Sequence, residues 1–409
     1  MARNGSGTYT NPYPTFVPNT VISSTETNTN NAQMAAALTA SIANDGQTPI
    51  LADLPMSGYK HTGVSAISGT NSQEYMARDY WLGQRTMENV LANPDGYVNQ
   101  MGTTSTADDT YGGPDGWYSL NQTNATSWAQ GTNLEATTPF YQRGTQSQAV
   151  AQRYGRAQII ESANCRHMRG QAIALSARVQ LSSTATLRYA VLEWTGTADA
   201  VTSDIVNDWT SSTYTAGNFF VSTTTNVLAV GSTALTAATP ATITVLPATV
   251  GASMNNLIVF FWTEATAAQN VTLDIAKATL TLGSVATPYY PRLDSVELAL
   301  CQRYLYQYTN STGGQSFAPS SGYNSATTNC RQVFVYPVQM RATPTLTVSN
   351  VANFDVASNA DVATTNIVIV LASAYSATLN ITVAAGLTAG GGAILFADNG
   401  EYLRFIAQL

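Results

Sequence analysis

Ile173-Ala174-Leu175-Ser176-Ala177-Arg178-Val179-Gln180-Leu181 puts an apolar residue at every odd position and a small or polar one at every even position. Side chains of a strand alternate between its two faces, so this stretch reads as a strand with one face in a core and the other turned outward. Two neighbouring stretches, Leu187 to Trp194 and Leu257 to Trp262, are apolar almost without interruption and should be covered on both faces. Val271, Leu273 and Ile275 share one phase, whereas Leu280 and Leu282 occupy the other. That switch predicts a β-bulge around Lys277, because one extra residue sends every later side chain to the opposite face. Between residues 89 and 290 the same reasoning finds about eight to ten strands joined by Gly-, Thr- and Asn-rich connections, the pattern of a two-sheet sandwich.

Outward from the sandwich, the segment 291–304 reads as a linker helix. Asp294 is placed to cap it, Glu297 to reach back, and Leu293, Val296, Leu300 and Tyr304 line one face. Residues 305–409 return to strand patterns, with Gly390-Gly391-Gly392 as a hairpin turn, and predict a second, smaller β-sandwich. On the N-terminal side, Pro12, Pro14 and Pro18 block helix and make residues 1–63 an extended arm. Within it a short helix is expected from Asn30, paired with Gln33 at capping-box spacing, through Met34, Leu38 and Ile42 to Gly46. Residues 64–88 read as a helical connector, opened by Asn71 three positions before Glu74.

The chain has 409 residues, of which 10% are charged and 44% hydrophobic, with a formal net charge of −7. Twenty-one Tyr, eleven Phe and six Trp supply the apolar area that a disordered chain of low charge would lack. With only 17 Lys and Arg and no cluster of them, the electrostatic footprint of nucleic-acid binding is missing, so no nucleic-acid partner is expected. No apolar run approaches the ~20 residues that span a bilayer, so no membrane insertion is expected either. The opening residues carry no secretory apolar segment. An outward-facing β composition without such a segment suits a virion component made in a host cytoplasm and released by lysis.

Chemistry-bearing clusters are sparse. His61 and His167 lie in different regions and cannot form a zinc set. Cys165, Cys301 and Cys330 read as buried thiols, although Cys165 stands close enough to His167 for a nucleophile–base pair to be weighed. No P-loop, Rossmann or nucleophile-elbow pattern occurs, and no cofactor is expected. Asp108, Asp109 and Asp115, among Gly and Thr, would suit either an oxygen-ligated cation such as calcium or solvated turns. Trp117, Trp128 and Trp209, among polar residues, offer flat faces for stacking sugar rings or serve as core; Trp194 reads as core. A carboxylate pair for glycoside hydrolysis cannot be read from spacing.

Several stretches resemble tailed-bacteriophage tail fibre proteins. Gly5-Ser6-Gly7-Thr8-Tyr9, Thr20 to Thr25, Gly46-Gln47-Thr48-Pro49 and Leu54-Pro55-Met56-Ser57-Gly58-Tyr59-Lys60 resemble the N-terminal virion-attachment segment. The stretch opened by Asn89-Val90-Leu91-Ala92-Asn93-Pro94-Asp95-Gly96 and closed by Leu282-Gly283-Ser284-Val285-Ala286-Thr287-Pro288 is similar to their jelly-roll, carbohydrate-binding-module-like domain. Glu297-Leu298-Ala299-Leu300-Cys301-Gln302-Arg303-Tyr304 and Met340-Arg341-Ala342-Thr343-Pro344-Thr345 are similar to the link and distal domain. The resemblance implies a mainly β homotrimer whose residues 1–63 dock to tail or collar proteins and whose β-domains face a host surface glycan or outer-membrane receptor. No long shaft separates arm from sandwich, so the fibre would be stubby. Tyr9, Tyr13, Phe16 and Ile22 are then candidates for virion anchoring, and Phe317, Tyr323, Trp117, Trp128 and Trp209 for receptor binding. The expectation is a non-enzymatic fibre; the rivals are a polysaccharide-degrading tail spike and a collar or head protein without receptor binding.

Overall fold

The computed structural model describes residues 21, 23–39, 89–309 and 321–409. The chain divides into two compact units, 1–77 and 78–409. In the first, helix α1 spans Ser24–Thr39. It starts six residues earlier than expected, because Ser23 and Glu26 form a capping pair upstream of Asn30 and Gln33: the Ser23 hydroxyl accepts from the Glu26 N–H at 3.3 Å. The expected extension to Gly46 and the helical connector 64–88 lie outside the described residues.

The second unit is mainly β and opens with a sandwich. One sheet has the order β1 (Thr104–Thr106), β4 (Thr126–Glu135), β5 (Thr138–Thr145), β13 (Thr272–Leu282), β7 (Ala172–Leu181), β10 (Ala241–Thr242), and β11 (Leu246–Thr249) also pairs with β7. The other has the order β2 (Thr110–Tyr111), β3 (Tyr118–Asn121), β6 (Tyr154–Ile160), β12 (Asn256–Thr263), β8 (Ala185–Trp194), β9 (Thr225–Leu235). Between them Ile173, Leu175, Ala177, Val179 and Leu181 of β7 face Leu187, Tyr189, Val191, Leu257, Val259 and Phe261 of the second sheet, all buried. The alternation in β7 therefore holds as expected.

The continuous apolar runs of β8 and β12 have a physical reason. The outer face of their sheet carries Ala190, Leu192, Ile258, Phe260 and Trp262, and the long 195–224 connection folds over it with Val201, Ile205, Phe219 and Phe220. Trp262 stacks on Phe260 with centroids 4.7 Å apart and on Phe219 at 5.1 Å. A short helix α2 (Ser162–Cys165) and a 3-10 turn lead from β6 to β7 and bury Cys165 and Met168.

Helix α3 (Asp294–Gln302) joins the sandwich to the C-terminal region. Only the C-terminal half of its stripe packs: Tyr304 is buried and Leu300 half-buried, with Glu297 and Cys301 buried beside them, whereas Leu293 is 75% exposed and Val296 is exposed as well. Nor does Asp294 cap it, since Leu293 occupies that position and the Asp294 carboxylate accepts from the Tyr97 hydroxyl at 2.9 Å. Glu297 is drawn inward by the Asn93 N–H and by Arg292 at 2.9 Å.

The C-terminal region is not a second sandwich. β15 (Ser321–Ala326), β16 (Asn329–Val335), β20 (Ser376–Val383), β19 (Asp361–Ala372), β18 (Phe354–Ala357) and β21 (Gly392–Ala397) close into a barrel. β14 (Leu305–Thr309), β22 (Tyr402–Ile406) and β17 (Thr345–Val348) form a separate three-stranded sheet. Closure comes from β15 pairing with β21, Ser321 opposite Ile394, which joins segments some 70 residues apart. One core, including Phe334, Phe354, Leu379, Leu395, Leu403 and Phe405, serves both. Gly390, at φ +81°, makes a turn before β21, but not the expected hairpin, because β21 pairs with β15 and β18 rather than with the preceding β20.

Candidate functional site

The site grows from the bulge in β13. Leu273 and Ile275 point into the core, the register against β7 shifts between Ala276 and Thr279, and Ala278 and Leu280 then occupy the core positions. Lys277 is the extra residue, with φ +50°. The phase switch read from the sequence is this bulge, and its effect is to turn the Lys277 side chain onto the outer face of the seven-stranded sheet.

There Lys277 lines a groove of about 470 Å³ together with Glu135, Arg178, Thr242, Thr279 and Tyr289. The sheet register builds the floor, with Thr242 opposite Arg178 and Thr279 opposite Ser176. Tyr289, in the segment after β13, forms part of the wall; its hydroxyl donates to Asp95 at 2.9 Å. The Arg178 guanidinium grips Glu135 in two-pronged fashion at 3.0 and 2.7 Å and also donates to Thr242 at 3.3 Å. Those bonds hold the Glu135 carboxyl below its ordinary range. The Lys277 ammonium donates to the Thr137 hydroxyl at 3.1 Å and stands 4.0 Å from Glu135. Thr279 is 3% exposed, and its hydroxyl makes no hydrogen bond within the protein.

A second cavity, about 360 Å³, sits where the sandwich meets α3 and is lined by Gln158, Glu161, Asn164, His167, Arg292 and Tyr304 among others. Its polar groups serve mainly to join the parts of this unit. Glu161 accepts from Arg303 at 2.6 and 2.8 Å and from the Tyr304 hydroxyl at 2.8 Å. Burial pushes its carboxyl up, but these donors outweigh that and hold it below the usual range. Arg292 donates to Glu297 at 2.9 Å and to the Leu91 carbonyl at 3.0 Å, and Gln158 is engaged with the backbone of Ala92 and Gly116.

The residues singled out from the sequence are scattered. Trp117 and Trp128 are fully buried, so neither can stack on a sugar. Their polar surroundings misled because the indole N–H groups are satisfied internally: Trp117 donates to the Ala92 and Asn93 carbonyls at 3.2 Å, and Trp128 to Ser119 and Thr126 at 2.9 Å. Trp209, within the 195–224 connection, is half-buried and set edge-on to Phe219 and Phe260. Tyr323 lies on β15, 52% exposed. Phe317, Tyr9, Tyr13, Phe16 and Ile22 lie outside the described residues.

The three aspartates do not converge. Asp115 is buried against the Gln100 amide groups at 3.0 and 2.5 Å, with burial pushing its carboxyl up to about 7. Asp108 accepts from the Asn121 N–H at 2.6 Å, and burial followed by the nearby Asp204 raises its pKa. Among the described residues no group of three His, Cys, Asp or Glu is placed to hold a metal. Cys165 is buried, its thiol pushed up to about 12 by burial, while His167 is exposed, so they form no nucleophile–base pair. All three cysteines are free and buried.

Sequence reasoning missed Glu135, Arg178 and Tyr289, which only pairing and turn geometry bring together. Lys277 carried a signal: it is one of two lysines and stands where the strand changes phase.

No family model matches the chain, and no curated protein matches it. Solved structures to which part of this chain is similar include a Bacteroides thetaiotaomicron protein described as sugar binding, at 10% identity, covering 48% of this chain and 100% of that one with a TM-score of 0.33. The carbohydrate-binding module TmCBM61, solved with β-1,4-galactotriose, is 8% identical, covering 48% and 99% with a TM-score of 0.27. The enzymatically active domain of bacteriophage CBA120 tailspike protein 4 is 12% identical, covering 48% and 21% with a TM-score of 0.28. Among the described residues, no helix is long and apolar enough to cross a membrane.

Proposed function

We propose that this chain is a non-enzymatic fibre component of a bacteriophage virion that binds a glycan of the host surface. The observation that carries the glycan reading is the groove on the outer face of the seven-stranded sheet. It combines a tyrosine wall with planar and hydroxyl hydrogen-bonding groups held in place by one another, the mixture that recognises a ring bearing several hydroxyls. The fibre reading rests on the sequence resemblance, which assigns residues 1–63 to docking on tail or collar proteins.

Assembly as a homotrimer is part of the same proposal. Val333 and Val335 of β16 and Val368, Val370 and Leu371 of β19 are exposed on either side of the polar outward residues Ser376, Thr378 and Asn380 of β20, large apolar side chains on a chain of net charge −7. A second copy meets little like-charge repulsion there. Light scattering of the purified chain should give three times the monomer mass, and Leu371→Asp should lower it.

The test of function is incubation of the full chain with bacterial surface polysaccharides. Binding without release of reducing ends is expected; released oligosaccharide would make the chain a degrading spike. Failure to compete with phage for adsorption to host cells would leave a structural collar or head role.

A further inference from the structure

We propose that the groove on the seven-stranded sheet selects an acidic sugar residue, with Lys277 contacting its anionic group; this rests on the reading of that groove as a glycan site. Two cations, Lys277 and Arg178, face one carboxylate, Glu135, so the groove carries a local excess of one positive charge on a chain of net −7. Glu135 is committed, since both its oxygens accept from Arg178 and one also accepts from Thr138 at 3.0 Å. The Lys277 ammonium has three N–H donors, and Thr137 takes one of them.

The backbone gives an independent reason to look at this lysine. Eight described non-glycine residues have positive φ, and five of them are Asn or Asp: Asn93, Asp109, Asn133, Asp199 and Asn270. Those side chains tolerate the left-handed region, whereas lysine has no such tolerance. Glycine would meet the bulge geometry without strain, but it could not place an ammonium over the sheet. Strain of this kind gathers where a side chain must be aimed. Thr279 also lines the groove, and its buried hydroxyl has no hydrogen-bond partner within the protein.

An acidic sugar fits these groups: its single negative charge meets Lys277, and its hydroxyls meet the groove's hydroxyl and guanidinium edges. A carboxylate and a sulfate ester share that chemistry, and the probes separate them. Binding of the full chain would be measured at low and high salt to polygalacturonate, methyl-esterified polygalacturonate, hyaluronan, dextran sulfate, mannan and dextran. A carboxylate site binds polygalacturonate or hyaluronan and rejects the methyl ester, mannan and dextran; a sulfate site prefers dextran sulfate. In either case Lys277→Met should weaken binding about tenfold or more, Lys277→Arg should restore most of it, and added salt should weaken it.

Lys277→Gly should lose the same binding while its Tm stays level or rises by about 2 °C, which a purely structural lysine would not allow. Equal binding of the charged and neutral polymers, or binding to acidic polymers that Lys277→Met leaves intact, overturns the acidic-sugar assignment and leaves the glycan reading standing. If the wild-type chain binds none of the six polymers, the glycan reading itself fails for this groove, and the assignment fails with it.

Discussion

The Arg156 guanidinium lies 4.5 Å from the centroid of the Trp128 ring, and both side chains are fully buried inside the sandwich. The charge is tolerated there because Arg156 donates to Gln142 at 3.1 Å and to the Gly112 and Pro114 carbonyls at 2.6 and 2.7 Å. Arg156→Ala would strip those acceptors of their donor and open a cavity beside the indole, at a cost of about 3–5 kcal/mol. Trp128→Ala should cost a similar ~3–5 kcal/mol, and the double variant less than the sum, because the two share one contact. Urea denaturation of the four proteins checks this. Additive losses would mean that the ring and the guanidinium do not interact.

The 195–224 connection covers the outer face of the second sheet. Replacing 198–222 with a short Gly/Ser linker should uncover Phe260, Trp262 and Leu192, all of which it buries. Binding of the dye ANS and aggregation on concentration are the expected readouts; a dye-silent, soluble variant would mean that the sheet face does not need this cover.

Glu161 joins the sandwich to the C-terminal region through Arg303 and Tyr304, with further ties from Gln100 to the Leu305 carbonyl at 2.7 Å and from the Tyr118 hydroxyl to the Leu409 carbonyl. Glu161→Ala leaves the Arg303 guanidinium and the Tyr304 hydroxyl short of a partner, a loss of about 2–3 kcal/mol. Faster protease cutting between 283 and 305 is expected, together with separation of a single melting transition into two. An unchanged, single transition would place the strength of the joint in the apolar contacts instead.

Asp115 gives a pH dependence with a defined sign. Burial raises its pKa from 3.8 to about 7, so its ionised form is disfavoured in the fold. Stability from this group is highest below the unfolded value, declines as pH rises through about 4 to 7, and is constant above. The Tm of Asp115→Asn minus that of the parent should therefore grow across that window, by an amount on the order of 1–3 kcal/mol in stability. A difference that is flat with pH would show that Asp115 is ionised throughout.

Much of the β architecture was legible in the chain. The period-two alternation of β7, the double-sided burial of β8 and β12 and the bulge at Lys277 all follow from side-chain direction in a strand, which is a local property. The turn at Gly390 is local too, since it needs only a residue that accepts positive φ, whereas the hairpin expected there depended on pairing and did not form. Helix α1 was misplaced for a local reason as well, because two capping pairs compete and only one of them, Ser23 with Glu26, starts the helix.

What tertiary structure alone decided depends on partners distant in sequence. Trp117 and Trp128 are core because Ala92, Asn93, Ser119 and Thr126 satisfy their indole N–H groups, so polar neighbours in sequence did not mean exposure. Helix α3 turned Glu297 rather than Leu293 and Val296 inward because Asn93 and Arg292 pair with that carboxylate. The C-terminal strands closed into a barrel because β15 met β21, a pairing no alternation pattern encodes. The groove collects Glu135, Arg178, Lys277 and Tyr289 from four separate segments. A sequence specifies which face of its own strand each residue occupies; which residues stand across from it is set by strand order and register, and those exist only once the sheets have assembled.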